Sequence, residues 1–343
     1  MQDGSVMPAG GDYQRRFQRR WPRLRDPHVR ALAWLLDAPD LMASDAPCWE
    51  NRIATLGPVS DEVAAWLNRL QDDPELNAAL QAHMAHQPSA RLGRYAEKLL
   101  GFYLVRQRQL VAANLQVRNT GATRETLGEF DFLVKRPHVD AGAGLEHWEF
   151  ATKFYLLEQA PSSSGAGVEA DAFVGPNLAD SLGRKMRKIM SQQLMLSRHP
   201  AAAAVLPEPV AAAQALVKGW LFYRDGMPAA APAIGIAHDH CRGFWCDAAQ
   251  LQARTFPEDA SFVVMPRLEW LAPLRAEAGH ALALPALLTE LQARFAVEEA
   301  PVMVAVCRPS DEGEVVEAER GFIVPDGWQQ RAAQTVRHAV VRV

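Results

Sequence analysis

Two acidic residues alternate along an apolar run. In Gly128-Glu-Phe-Asp-Phe-Leu-Val134, Glu129 and Asp131 stand two positions apart. In a strand that spacing puts both carboxylates on one face, with Phe130, Phe132 and Val134 turned the other way into apolar packing. The run His147-Trp-Glu-Phe-Ala-Thr-Lys-Phe-Tyr155 repeats the pattern. Glu149, Ala151 and Lys153 share one face, and Trp148, Phe150, Thr152 and Phe154 the other. Upstream, Glu97 falls among Leu92, Leu99 and Leu100. Acids on the inner part of a sheet are costly unless paired or metal-bound. Carboxylate oxygens are hard ligands suited to Mg²⁺ or Mn²⁺. A nearby ammonium can orient a water and offset charge on a phosphate. Glu97, Asp131 and Glu149 are therefore candidate metal ligands. Asp131, Glu149 and Lys153 are the candidate catalytic group for metal-assisted phosphodiester hydrolysis. The same spacing is also met by an ordinary Glu149–Lys153 ion pair on an edge strand, with Glu129 and Asp131 solvated.

A second charged group follows. Lys185, Lys188 and Gln192 lie at i, i+3 and i+7, one stripe of a helix, with Arg184 and Arg187 beside it. A basic stripe next to an acidic metal site suits a nucleic-acid backbone, and it equally suits a solvated helix face. The run His238-Asp-His-Cys-Arg-Gly-Phe-Trp-Cys246 has a permissible zinc spacing but lacks a second paired half, so Cys241 and Cys246 read as small buried groups beside a turn. Neither a phosphate-binding glycine loop nor a Gly-x-Ser-x-Gly elbow occurs. Trp220, Trp245, Trp270 and Trp328 sit on strand-like runs and read as core.

The elements that must position these groups can be read from caps and periodicity. Asp26-Pro27, Ser60-Asp61 and Asp73-Pro74 open three helices. A longer helix spans about Arg91–Arg106. Strands follow at about Leu110–Val117, Leu127–Lys135 and His147–Leu157, then a loop at Pro161–Gly167, a helix at Asn177–Ser197 and a strand at Ala215–Tyr223. Beyond Arg224, strands are expected at Gly243–Cys246, Phe262–Leu268, Val302–Cys307 and Val315–Val324, with a helix at Leu282–Phe295. Strands flanked by helices imply a layered α/β core, α+β overall. The expected organisation is a flexible basic arm (1–25), an N-terminal helical segment (26–90), the core (91–224) and a C-terminal α+β extension (225–343).

Composition limits the partners. The net charge of −4 over 343 residues argues against coating nucleic acid by bulk charge and leaves room for a local basic groove. Six Lys among 36 basic residues make each Lys more informative than each Arg. No apolar stretch is long enough for a membrane span, and four cysteines do not make a disulfide framework. A reduced, cytoplasmic protein is expected.

A helix Glu, a strand Asp and a strand Glu followed by Lys, in αβββαβ order, resemble the PD-(D/E)XK nuclease superfamily. More narrowly, the chain resembles the bacterial family known as domain of unknown function 1853. The matching stretches include Arg30-Ala-Leu-Ala-Trp-Leu-Leu-Asp-Ala-Pro39, Leu127-Gly-Glu-Phe-Asp-Phe132, His147–Tyr155, Gly175-Pro-Asn-Leu-Ala-Asp-Ser-Leu182, Lys218-Gly-Trp-Leu-Phe-Tyr223 and Arg320-Gly-Phe-Ile-Val-Pro325. The resemblance implies a restriction-endonuclease-like core and a Mg²⁺- or Mn²⁺-dependent nuclease acting on DNA or RNA. It also makes Gln192 or Gln193 a site-lining residue, beside Lys185 and Lys188 as substrate contacts. One departure matters. The superfamily sets its acid and Lys two residues apart, whereas Glu149 and Lys153 are four apart, about 13 Å along a strand rather than about 7 Å. Lys185 or Lys188 could supply the charge instead. A nuclease-like fold without catalysis, serving as a nucleic-acid-binding or interaction module, is the other expectation.

Overall fold

The computed structural model describes residues 12–119, 125–135, 144–158, 170–225, 235–310 and 313–340. The loop expected at Pro161–Gly167 lies outside the described residues, as does the start of the expected basic arm.

The rest of that arm is ordered, which corrects the expectation. Helix α1 (Asp12–Arg20) buries Tyr13 and Phe17, and Trp21 and Leu24 follow into the core. The arginines attract attention in the sequence, but the apolar residues at i, i+4 and i+8 decide where the segment goes. Helix α2 (Pro27–Asp37) starts as expected, with Asp26 Oδ1 accepting from His28 N and Val29 N at 2.8 and 3.0 Å. Helices α3 (Asp61–Asp72) and α4 (Pro74–Ala85) are capped by Ser60 and Asp73.

From α5 (Leu92–Arg106) the chain runs through β1 (Leu110–Arg118), β2 (Thr126–Val134), β3 (Leu145–Leu157), β4 (Phe173–Val174), α6 (Leu182–Lys188) and β5 (Val210–Arg224). Strands β1, β2 and β3 pair antiparallel, and β5 then lies parallel to β3. These two strands approach closely at Gly219, where a Cβ would fall 2.0 Å from the Lys153 carbonyl oxygen.

The remaining elements are β6 (Cys241–Asp247), α7 (Ala248–Ala253), β7 (Ser261–Val264), β8 (Arg275–Glu277), α8 (Leu284–Phe295), β9 (Val302–Pro309), β10 (Glu314–Val324) and α9 (Trp328–Val340). They do not form a separate layer. Among the described residues the sheet is ten-stranded and mixed, with the path β1-β2-β3-β5-β6-β10-β9-β7. Strand β4 pairs with β3, and β8 with β10. The fold is thus a mixed α/β architecture, and the C-terminal strands continue the sheet that carries the expected site.

Both faces of the sheet are covered. On one, Trp148, Phe150, Phe154 and Trp220 pack with residues of α1, α2 and α5. On the other, Ala151, Tyr155 and Val217 meet Leu182, Met186 and Ile189 around α6. Further along that face, Phe244, Cys246 and Ile323 meet Leu251, Leu287 and Leu291 of α7 and α8. Cys241 belongs to the first face and Cys246 to the second, so the strand separates the two thiols. Arg320 and Glu317 form a buried ion pair at 2.7 Å. The guanidinium lies 4.1 Å from the Trp220 ring centroid.

Several expectations need correction. The helix expected over 177–197 starts only after the Ser181 cap. It passes through a π-helical turn at Ile189–Gln193 and a 3₁₀ turn at Leu194–Arg198. Phe130 does not side with Phe132 and Val134. It packs with Val117, Leu133 and Leu196, while the other two join the α5 face. The ladder between β2 and β3 covers only Phe132–Val134, so Phe130 lies where period two no longer binds the strand to β3. The run to Leu268 leaves the sheet after Val264 and turns into a 3₁₀ helix at Arg267–Glu269. Trp270 follows that turn, and Trp328 opens α9 rather than lying on a strand. No helix among the described residues is long and apolar enough to cross a membrane.

Candidate active site

The acids meet where β2 parts from β3. The last ladder pair on that side is Phe132↔Trp148. One position further, the Phe150 N–H donates to Asp131 Oδ2 at 3.0 Å. A side-chain carboxylate thus takes an amide at the point where the two strands separate.

Glu149 lies on the face of β3 that looks toward α6, and both of its oxygens are engaged. His147 Nε2 stands 3.0 Å from Oε1, and Gln193 Nε2 donates to Oε2 in a short hydrogen bond. Burial lowers the His147 imidazole to about 4, so it is neutral near pH 7. Its Nδ1 is buried without a hydrogen-bond partner among the described residues. The proton therefore sits on Nε2, and the ring donates to Glu149.

Asp131 and Glu149 interact by a side-chain hydrogen bond, and both carboxyls are pushed up to about 7. Burial is the main cause for each, and for Asp131 the Glu149 charge comes next. Two adjacent carboxylates in poor solvent hold a proton between them. With donors on both oxygens of Glu149, that residue is the charged member and the proton rests on Asp131. Glu97 reaches the same region from α5. Its carboxyl is raised by burial and then by Asp131.

The cation is Lys185. It donates to Gln193 Oε1 at 3.0 Å, and the same amide donates onward to Glu149. Burial, and next the proximity of Lys153, lowers its pKa, while Glu149 and Asp131 oppose that shift. Lys153, placed in the catalytic group by its strand position, is engaged by another acid. Its ammonium pairs with Asp180 at 3.0 Å, and the Tyr155 hydroxyl donates to the same Asp180 oxygen. Lys188 and Gln192 are exposed. The π turn explains why Gln193 rather than Gln192 joins Lys185. One extra residue in the turn brings i+8 to the side that i+7 would occupy in a regular helix.

Sequence reasoning missed Arg94. It pairs with Glu97 at 2.9 Å, reaches Glu129 at 3.5 Å and donates to Asn114. The i, i+3 spacing of Arg94 and Glu97 was the available signal. His147 was likewise readable as a same-face neighbour two residues before Glu149.

The donor set suits a hard divalent cation, because two carboxylates deprived of water are neutralised as well by a cation as by a proton. Among the described residues, no three His, Cys, Asp or Glu side chains stand together closely enough to hold a metal ion. Mg²⁺ needs no such cage. It commonly takes one or two carboxylates and completes its shell with water and substrate phosphate oxygens.

A buried Glu, a half-buried Asp, a helix-borne Lys and a linking Gln on a mixed α/β sheet make up the site. The chain belongs to the family described as a domain of unknown function (DUF1853), whose model matches residues 30–324. No curated protein and no solved structure matches the chain.

Proposed function

We propose that this protein is a Mg²⁺- or Mn²⁺-dependent nuclease that hydrolyses phosphodiester bonds in DNA or RNA. The reading is carried by one observation: Asp131 and Glu149 stand together where β2 and β3 separate, and Gln193 links Glu149 to Lys185. The order α5-β1-β2-β3-α6-β5, with β3 and β5 parallel, supports a restriction-endonuclease-like core around that point. When bound, the ion would polarise a phosphoryl oxygen and acidify a water. Asp131 and Glu149 would hold it, with Glu97 beside them. His147 and Gln193 fix the orientation of Glu149. Lys185, kept in place by Gln193, offsets charge that builds on the phosphate. Lys188 and Gln192, on the exposed side of the same helical segment, would meet the backbone of a longer substrate.

Purified protein should cleave DNA or RNA only with Mg²⁺ or Mn²⁺. Asp131→Ala should abolish cleavage, and Lys185→Ala should lower it about 100-fold or more, the scale of one lost electrostatic group. Lys153→Ala should keep most of it. Wild-type cleavage by Asp131→Ala would remove the assignment.

Three ion pairs favour the other reading, a nuclease-like module that binds nucleic acid without cutting it. Arg94 pairs with both Glu97 and Glu129, and Asp180 holds Lys153. That reading expects salt-dependent nucleic-acid binding with no heat of Mn²⁺ binding.

A further inference from the structure

A second concave site lies far from these acids. It opens between α1 and the β9–β10 side of the sheet, with the segment after α7 as its other wall. Strands β5 and β6 separate β10 from β3. This open-sided hollow has a volume of about 720 Å³, typical of sites for small organic ligands.

Its charge is one-sided. Arg15 and Arg19, one turn apart on α1, and Arg308 at the end of β9 all line it and are all exposed. Among the described residues none of the three has an acidic partner. The acids of the wall are taken: Glu317 by Arg320 at 2.7 Å, and Glu319 by Arg254 at 2.6 Å. Three guanidiniums without counter-charge therefore share one hollow. Their planar forks suit phosphate oxygens, to which Arg bonds in bidentate fashion.

Part of the wall is apolar. Phe256, Val306 and Val316 line it. The Phe256 ring is half-buried and carries the Arg254 guanidinium 5.2 Å from its centroid. A flat ring can lie against such a surface while its charged end reaches the arginines.

We infer that this cavity binds an organic phosphate of mononucleotide size, its phosphates held by Arg15, Arg19 and Arg308 and its ring set against Phe256. The site is independent of the nuclease reading, because it shares no residue with it.

The test is calorimetric titration of the full chain, in EDTA, with ADP and with inorganic phosphate as probes. ADP should bind with a Kd of about 1 mM or tighter, and phosphate about tenfold more weakly because it lacks the ring. The pair Arg15→Glu/Arg19→Glu, and Arg308→Glu separately, should each weaken ADP about tenfold or more, the scale of a lost charge-assisted contact. Phe256→Ala should weaken ADP and leave phosphate unchanged. Arg15 and Arg19 sit on the exposed side of α1, so their variants keep its buried face, which circular dichroism verifies. No heat from ADP at about 5 mM overturns the proposal. So does equal affinity for ADP and phosphate, unchanged ADP binding in the arginine variants, or binding of single-stranded DNA alone.

Discussion

Asp131→Asn should make the metal-free protein more stable, and more so as pH rises. In the folded protein the Asp131 carboxyl is raised from 3.8 to about 7, first by burial and then by Glu149. Between about pH 4 and pH 7 the folded state therefore holds a proton that the unfolded state has released. Stability falls as pH climbs through that window and levels off above it. The whole shift is worth about 4 kcal/mol at 1.36 kcal/mol per pKa unit. Water entry and side-chain relaxation reduce it, so about 1–3 kcal/mol should separate variant from wild type when pH 5 and pH 8 are compared. Asn is the shape of the protonated acid. Its carbonyl oxygen can accept the Phe150 N–H, and its amide can donate to Glu149, so the pair loses a charge and keeps its hydrogen bonds. Thermal unfolding followed by circular dichroism in EDTA, at both pH values, measures the gain. The melting point of the variant should rise relative to wild type by a few degrees from pH 5 to pH 8. A difference that stays constant between the two pH values, or that shrinks as pH rises, would refute the shared-proton account. The same variant should lose cleavage, since a neutral amide is a poor metal ligand, which makes this a trade between stability and activity.

Two further predictions concern the frame. Gly219→Ala forces a Cβ to within 2.0 Å of the Lys153 carbonyl oxygen. The β3–β5 pair must then separate, costing about 3 kcal/mol or more in urea unfolding; a loss under about 1 kcal/mol would show that the strands can shift freely. Glu317→Ala strands the buried Arg320 guanidinium and should cost about 3–5 kcal/mol. Adding Arg320→Met to that variant should restore part of the loss, and a strictly additive double mutant would disprove the pairing energy.

Local chemistry was legible in the sequence wherever one residue dominates. Asp26, Ser60 and Asp73 marked helix starts because a side-chain oxygen next to free amides leaves little choice of conformation. The strands carrying Asp131 and Glu149 were readable from their apolar alternation. The choice between Lys153 and Lys185 was not settled by spacing. It turns on Asp180, which captures Lys153 from 27 positions away, and on a π turn that rotates Gln193 inward. Neither leaves a trace in simple periodicity. The Arg-rich start misled for the opposite reason: charge is conspicuous, while Tyr13, Phe17 and Trp21 between the arginines determine the packing.

Helix α1 and the segment after it are tied to distant parts of the chain. Gln18 donates to the Leu274 carbonyl, Arg30 to that of Pro273, and Arg25 pairs with Glu314. During vectorial synthesis these partners emerge roughly 10–50 s after α1, at about 5–20 residues per second. For that interval Phe17 and Trp21 lack much of their final seat, and an amphipathic, strongly cationic helix is offered to whatever is nearby. Seating α1 in its final place therefore waits on the segment before β8 and on β10.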